Sequence, residues 1–207
     1  MSKVLVINCG IGNLGSVRRA FEECGAHVLV SDNPDDLRQV DRIVLPGVGA
    51  YADGMEALTA KGWPEPLRDA LEKPGVALIG ICLGMQLLSE SGTEGGGAQG
   101  LGLIPGKVVR LEPGNGERIP HVGWNELQVN NDSPLMAGIH KGTDFYFVHS
   151  YHFLADKDES IVARTSYCGS FVSVVGSGNV FGVQFHPEKS SRQGFQLLRN
   201  FLEFGID

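Results

Sequence analysis

Two short segments carry residues that could do covalent chemistry. One is Gly80-Ile-Cys82-Leu-Gly84; the other is His186-Pro187-Glu188. A thiolate nucleophile needs a base to shuttle a proton, and that base needs a carboxylate to orient it. Cys82 follows an apolar run, Val76–Ile81, and precedes a helical stretch. This is the spacing of a nucleophile elbow with Cys in place of Ser. The sharp strand-to-helix turn strains the nucleophile's backbone, and small residues two before and two after avoid clashes. The following helix would aim its N-terminus at the sulfur and favour thiolate. The Leu83 N–H would then face a developing oxyanion. The same pentapeptide also fits a buried cysteine packed as a small apolar residue.

His186-Pro187-Glu188 ends the last strand-like run. Proline stiffens the turn and restricts both neighbours, so His186 and Glu188 could project the same way. Taken alone, the tripeptide reads more readily as a surface turn. A third segment, Leu45-Pro46-Gly47-Val48-Gly49, also lies just past a strand and could lend a second backbone N–H to an oxyanion. By itself it is a plain turn. Their common position is what joins them, because sites in open α/β sheets gather at the carboxyl ends of strands.

The elements that must position these residues follow from periodicity. Lys3–Asn8, Ala26–Ser31, Asp41–Pro46 and Val76–Ile81 read as strands of a mostly parallel sheet. Helical stretches separate them: after the turn Cys9–Gly15 to about Cys24, near Pro34–Val40, at Tyr51–Lys61 and at Glu65–Lys73. Such alternation predicts helices on both faces of the sheet. The second half changes character. Lys107–Leu111, Glu126–Val129, Asp144–His149, Ile161–Thr165, Phe171–Val175 and Val180–Phe185 read as strands joined mainly by turns, which predicts antiparallel additions. Ser190–Phe204 closes the chain as an amphipathic helix with Phe195, Leu198, Phe201 and Leu202 on one side. Ser91–Gly102 reads as a flexible Gly-rich loop with no motif.

Composition bounds the rest. The 207 residues suit a single domain, read here as 1–207, with 42% hydrophobic and 20% charged residues. Glycine accounts for 29 of them, about twice average usage, which points to tight turns and close backbone approach. A net charge of −7 without a basic cluster disfavours nucleic acid and anionic membrane as partners. Cys9, Cys24, Cys82 and Cys168 form no C-x-x-C pair and lack His at metal-ligand spacing, so no metal site is expected. The start Met-Ser-Lys lacks a charged-then-apolar signal segment, and no apolar run reaches membrane-spanning length. The expectation is a reduced cytoplasmic protein with free thiols.

Gly80–Gln86 (GICLGMQ), Pro46–Gly49 (PGVG) and Phe185–Lys189 (FHPEK) resemble the signature set of class I glutamine amidotransferases of the Cys-His-Glu type. Asn8–Val17 (NCGIGNLGSV), His121–Asn125 (HVGWN) and Phe145–Tyr151 (FYFVHSY) are similar to one branch, the glutaminase subunits of imidazole glycerol phosphate synthases. The resemblance runs from about residue 4 to 205. It implies a flavodoxin-like α/β fold. It implies that Cys82, His186 and Glu188 hydrolyse glutamine through a thioester. It further implies an oxyanion hole from Leu83 with Val48 or Gly49 (Gly47 shares the turn), and a glutamine pocket using Gln86 and the backbone of Ser150 and Tyr151. No cofactor is implied.

The partner implied is a (β/α)₈-barrel cyclase subunit, in a heterodimer, through which ammonia passes to make imidazole glycerol phosphate and an aminoimidazole carboxamide ribotide in histidine biosynthesis. Asn13, Trp124 and Lys189 fall where that branch meets or couples to its partner. By themselves they read as a helix-cap or turn residue, a core aromatic and a solvated charge. The alternatives are another class I amidotransferase subunit, feeding anthranilate, GMP or pyridoxal phosphate synthesis, or a non-catalytic scaffold on the same fold. A stand-alone thiol hydrolase is a third, and the pairing of His186 with Glu188 argues against it.

Overall fold

A computed structural model describes residues 2–114 and 116–205. The first half builds β1 (Lys3–Ile7), α1 (Leu14–Glu23), β2 (His27–Ser31), β3 (Arg42–Gly47), α2 (Tyr51–Ala60), α3 (Pro64–Leu71), β4 (Ala77–Cys82) and α4 (Leu83–Leu87). The second adds β5 (Ser91–Gly92), β6 (Ala98–Gln99), β7 (Gly106–Arg110), β8 (His121–Glu126), β9 (Gln128–Val129), β10 (Asp144–His149), β11 (Tyr151–Ala155), β12 (Ile161–Thr165), β13 (Phe171–Ser177), β14 (Val180–Val183) and α5 (Ser191–Glu203). Strands β2-β1-β3-β4-β14 run parallel, and β13, β11 and β7 continue the sheet antiparallel. Strands β8 and β10 form a separate two-stranded antiparallel sheet.

The central strands are buried along their length: β3 and β4 have no exposed residue. Their unbroken apolar runs are what a strand covered on both faces requires. Two apolar layers flank the sheet. One packs Phe21 of α1 and Leu197, Leu198 and Phe201 of α5 against Val4, Val6, Val44 and Ile79. The other packs Met55, Leu58, Trp63 and Leu67 against Leu5, Ile43, Leu45 and Leu78. Arg42 is buried at the base, where it donates to the carbonyls of Asp41, Gly75, Phe201 and Phe204 and pins the end of α5.

Four details differ from the sequence expectation. His121–Glu126 forms a full strand, which the polar and glycine content of His-Val-Gly-Trp-Asn hid. Tyr151–Ala155 pairs with β7 and β13 rather than serving as a connection. Ser91–Gly102 folds into a short hairpin: β5 pairs with β6, and Gly95, Gly96 and Gly97 turn between them with positive φ. Pro34–Gln39 is a 3₁₀ segment rather than an α-helix.

Candidate active site

Cys82 ends β4 with φ 55° and ψ −111°, a left-handed conformation that L-residues avoid. The glycines around it are required by space. A Cβ on Gly84 would collide with the Leu45 carbonyl oxygen, and one on Gly80 would lie 2.5 Å from the Gly84 carbonyl oxygen. The elbow therefore packs directly on β3. Gly47 is the register partner of Cys82 and lies against Leu83 and Gly84, so the Pro46–Gly49 turn is held beside Cys82.

His186 and Glu188 arrive from the neighbouring strand β14. The His186 N–H donates to the Tyr146 carbonyl at 2.9 Å, and Ser190 Oγ donates to the His186 carbonyl at 2.6 Å. The Tyr146 N–H donates to the same hydroxyl at 3.1 Å. These bonds tie the segment to β10. His186 Nδ1 lies 2.9 Å from Glu188 Oε1, and the two side chains are only 7% and 2% exposed. The ring borders the same cavity as the Cys82 sulfur. Burial pushes the imidazole pKa down. Interaction with Cys82 and the hydrogen bond to Glu188 outweigh burial and raise the pKa to about 9. His186 is thus protonated at neutral pH.

A cavity of about 240 Å³ opens over the sulfur. Val48, Gly49, Cys82, Leu83, Gln86, Glu94, His149, Ser150, Tyr151, His186 and Lys189 contribute to its lining. Its size falls below the roughly 300–1,000 Å³ of sites for drug-sized ligands and suits an amino acid. Gln86 donates at 3.0 Å to the Tyr151 carbonyl and at 3.0 Å to Gln184 Oε1. Gln184 is fully buried, with its Nε2 3.8 Å from the Cys82 sulfur. Every residue expected for the triad, the oxyanion hole and the substrate wall borders this one cavity except Glu188, which stands behind His186.

Two residues at this site escape the sequence reading. Glu94, in the hairpin read as a featureless loop, borders the cavity, and its carboxylate accepts from the Tyr51 N–H at 3.2 Å. Burial raises its pKa. Gln184 also went unremarked, although its place two residues before His186, at the end of the strand read over Val180–Phe185, was a usable signal.

The three residues expected at an interface converge on one side. Trp124, 53% exposed on β8, stacks edge-on with Tyr146 at 5.8 Å between ring centroids. Lys189 Nζ lies 6.0 Å from the Tyr146 ring centroid. Asn13 caps α1 by accepting from the Ser16 N–H at 3.3 Å. It also borders a small cavity with Pro46, Val48, Glu188 and Lys189. Val48, Val122 and Val148 are exposed apolar side chains; the latter two flank Trp124 on the small sheet. No group of metal-binding side chains and no helix long and apolar enough to cross a membrane occurs among the described residues. The four cysteines are free thiols.

Residues 5–204 match the model of the family described as glutamine amidotransferase class-I. The chain is 45% identical over 203 residues to imidazole glycerol phosphate synthase subunit HisH of Moorella thermoacetica, covering 98% of this chain and 95% of that one. It is 47% identical over 203 residues to the HisH subunit of Bacillus licheniformis, covering 96% and 95%. The fold resembles that of the PurLQS structure from Thermotoga maritima, with a TM-score of 0.76, 24% identity and 99% coverage of both chains. It also resembles a crystal structure of a glutamine amidotransferase, with a TM-score of 0.75, 21% identity and 97% and 98% coverage.

Proposed function

The chain belongs to the class-I glutamine amidotransferase family, within the branch of imidazole glycerol phosphate synthase HisH subunits, and from that premise we propose how its residues work. Cys82 attacks the side-chain amide carbon of glutamine. The tetrahedral oxyanion is met by the Leu83 N–H and an N–H of the Val48–Gly49 turn. His186, already protonated, gives its proton to the leaving amine, and ammonia departs from a γ-glutamyl thioester. Water then attacks the thioester while His186 takes its proton. Glutamate leaves and the starting thiolate–imidazolium pair is restored. Glu188 holds the imidazole and balances its charge throughout. Glutamine and water go in; glutamate and ammonia come out.

Substrate selection follows from the cavity walls. Gln86, Ser150 and Tyr151 line the side that would hold the glutamine backbone groups, and the Glu94 carboxylate is a counter-charge for its ammonium. The observation that carries this reading is the meeting of a strained Cys82 and a His186–Glu188 pair over one amino-acid-sized cavity. No cofactor enters any step.

The partner is a (β/α)₈-barrel cyclase, docked on the face of Asn13, Trp124, Tyr146 and Lys189 beside the cavity. Ammonia that leaked would protonate in water, so delivery into the barrel keeps it reactive for forming imidazole glycerol phosphate and the carboxamide ribotide. The whole chain, 1–207, acts as one domain in this heterodimer, and its free thiols suit the cytoplasm. Glutamate release, measured with the cyclase partner and its ligand present, tests the reading. It requires Cys82→Ala to abolish turnover, and full turnover in that variant refutes it.

A further inference from the structure

Two buried histidines stand outside the triad. His121 on β8 and His149 on β10 are register partners across the small sheet. His149 Nδ1 lies 2.9 Å from the Tyr151 carbonyl oxygen. A carbonyl only accepts, so Nδ1 carries the proton. Burial drives both imidazole pKa values down, to about 3 for His149 and about 4 for His121, and the rings are neutral. His149 Nε2 is therefore an acceptor, and His121 Nδ1, 3.0 Å away, donates to it. His121 Nε2 is left to accept, and Asn125 Nδ2 lies 3.5 Å from it. The Asn125 amide is oriented by the Glu126 N–H, which donates to its Oδ1 at 2.9 Å.

The donors all point one way, from Asn125 through His121 and His149 to Tyr151. At the end of the chain the Tyr151 carbonyl takes a second bond from Gln86. Both its lone pairs are used, so the peptide is held from two sides. Tyr167 stacks on His121 with ring centroids 4.0 Å apart, and Phe171 packs edge-on against His149 at 4.7 Å. Two neutral polar rings in an aromatic enclosure are costly unless bonded. These two are bonded into a chain that ends on the substrate wall.

We propose that His149, oriented by His121, is a positioning residue for the substrate: it holds the Tyr151 peptide so that the Ser150–Tyr151 wall meets the glutamine backbone groups, and it ties that wall to the strand bearing Trp124. This rests on the glutaminase reading above. It adds a residue pair that acts through Tyr151 and leaves the reacting atoms to the triad.

The test is steady-state glutaminase kinetics of the chain assembled with its cyclase partner and that partner's ligand. His149→Phe, which keeps the ring and removes both bonds, is expected to raise KM for glutamine about tenfold, the equivalent of one net hydrogen bond. Its kcat is expected to stay within about twofold, because the lost interaction is made equally in ground and transition states. His149→Gln, able to donate to the Tyr151 carbonyl, restores part of the loss. His121→Phe shifts KM in the same direction, and the double variant is no worse than His149→Phe, as for residues acting as a unit.

A folded His149→Phe with unchanged KM, or a loss confined to kcat, overturns the proposal. Should that variant not fold, nitrogen-15 spectra of histidine-labelled wild-type protein decide. Protons on Nδ1 of both His121 and His149 support the chain, and an Nε2–H tautomer at either ring overturns it. Wild-type turnover in Cys82→Ala would refute the glutaminase reading itself, whereas normal dependence on Cys82 with an unmoved KM refutes only the role of His149.

Discussion

His186 Nδ1 and Glu188 Oε1 are 2.9 Å apart across a single intervening proline, with both side chains buried. The carboxylate fixes which nitrogen of the ring is committed and leaves the other for Cys82. Together with Cys82, and against the lowering effect of burial, it keeps the imidazole charged, with a pKa of about 9 against an ordinary 6.5. A group raised in this way is protonated through neutrality and loses its proton as pH climbs through its folded value. Turnover for glutamate release in the complex should therefore fall as pH rises through about 9. Glu188→Gln should move that limb to lower pH and cut kcat by about a hundredfold. A kcat profile of the variant that overlays wild type would show that Glu188 has no part in holding the proton.

The elbow stores strain at one residue. Cys82→Gly should abolish activity yet raise stability by about 1 kcal/mol, because relief of a strained non-Gly conformation exceeds the added chain entropy. Gly84→Ala should do the reverse. Its Cβ has no room before the Leu45 carbonyl, and the cost should reach about 3 kcal/mol or more. Urea unfolding of both variants checks the pair. A Gly84→Ala protein as stable as wild type would mean that β3 and the elbow are not packed in this way.

Trp124 and Lys189 leave the folded chain little changed when replaced, because each is largely free of core contacts. In the complex they should matter. Trp124→Ala should weaken cyclase binding by about 2 kcal/mol, near thirtyfold in Kd, as for an aromatic anchor at an interface. Calorimetric titration of the two proteins measures it directly, and wild-type affinity in the variant would move the docking face elsewhere.

Much of this was legible in the sequence because it is local. Unbroken apolar runs announced β1, β3 and β4, and glycines two before and two after Cys82 announced the elbow. His186 and Glu188 were legible as a pair because proline leaves them few ways to point. What was hidden depends on the tertiary arrangement. His121–Asn125 reads as polar and glycine-broken, and becomes a strand only because β10 pairs with it. Glu94 sits among glycines with no periodicity, and reaches the cavity only because the hairpin folds back over α2. His149 lies inside an aromatic run, where alternation alone cannot distinguish a packed ring from a bonded one. Its role becomes visible only when His121, 28 positions earlier, is placed beside it.

The histidine pair also sets an acid limit on stability. His121 and His149 are neutral when folded, with pKa values near 4 and 3, and take protons near 6.5 when unfolded. The unfolded state thus binds more protons below pH 6.5, so their contribution is complete above that pH and is lost as pH falls toward 4. The titratable groups facing them are Glu117, His152 and His186. Denaturant titrations at pH 7, 6 and 5 should show falling stability in wild type and a shallower fall in His121→Phe. Equal slopes would mean that His121 titrates alike in both states.

The central claim is that Cys82 carries the acyl group, and one paired assay reaches it most directly. The complex containing Cys82→Ala is given first glutamine and then an ammonium salt, each with the cyclase partner's substrate. With glutamine, glutamate release and cyclised product should both fall by at least about a thousandfold, while the ammonium salt should still drive cyclisation at the wild-type rate. Glutamate release at wild-type turnover in that variant would contradict the account.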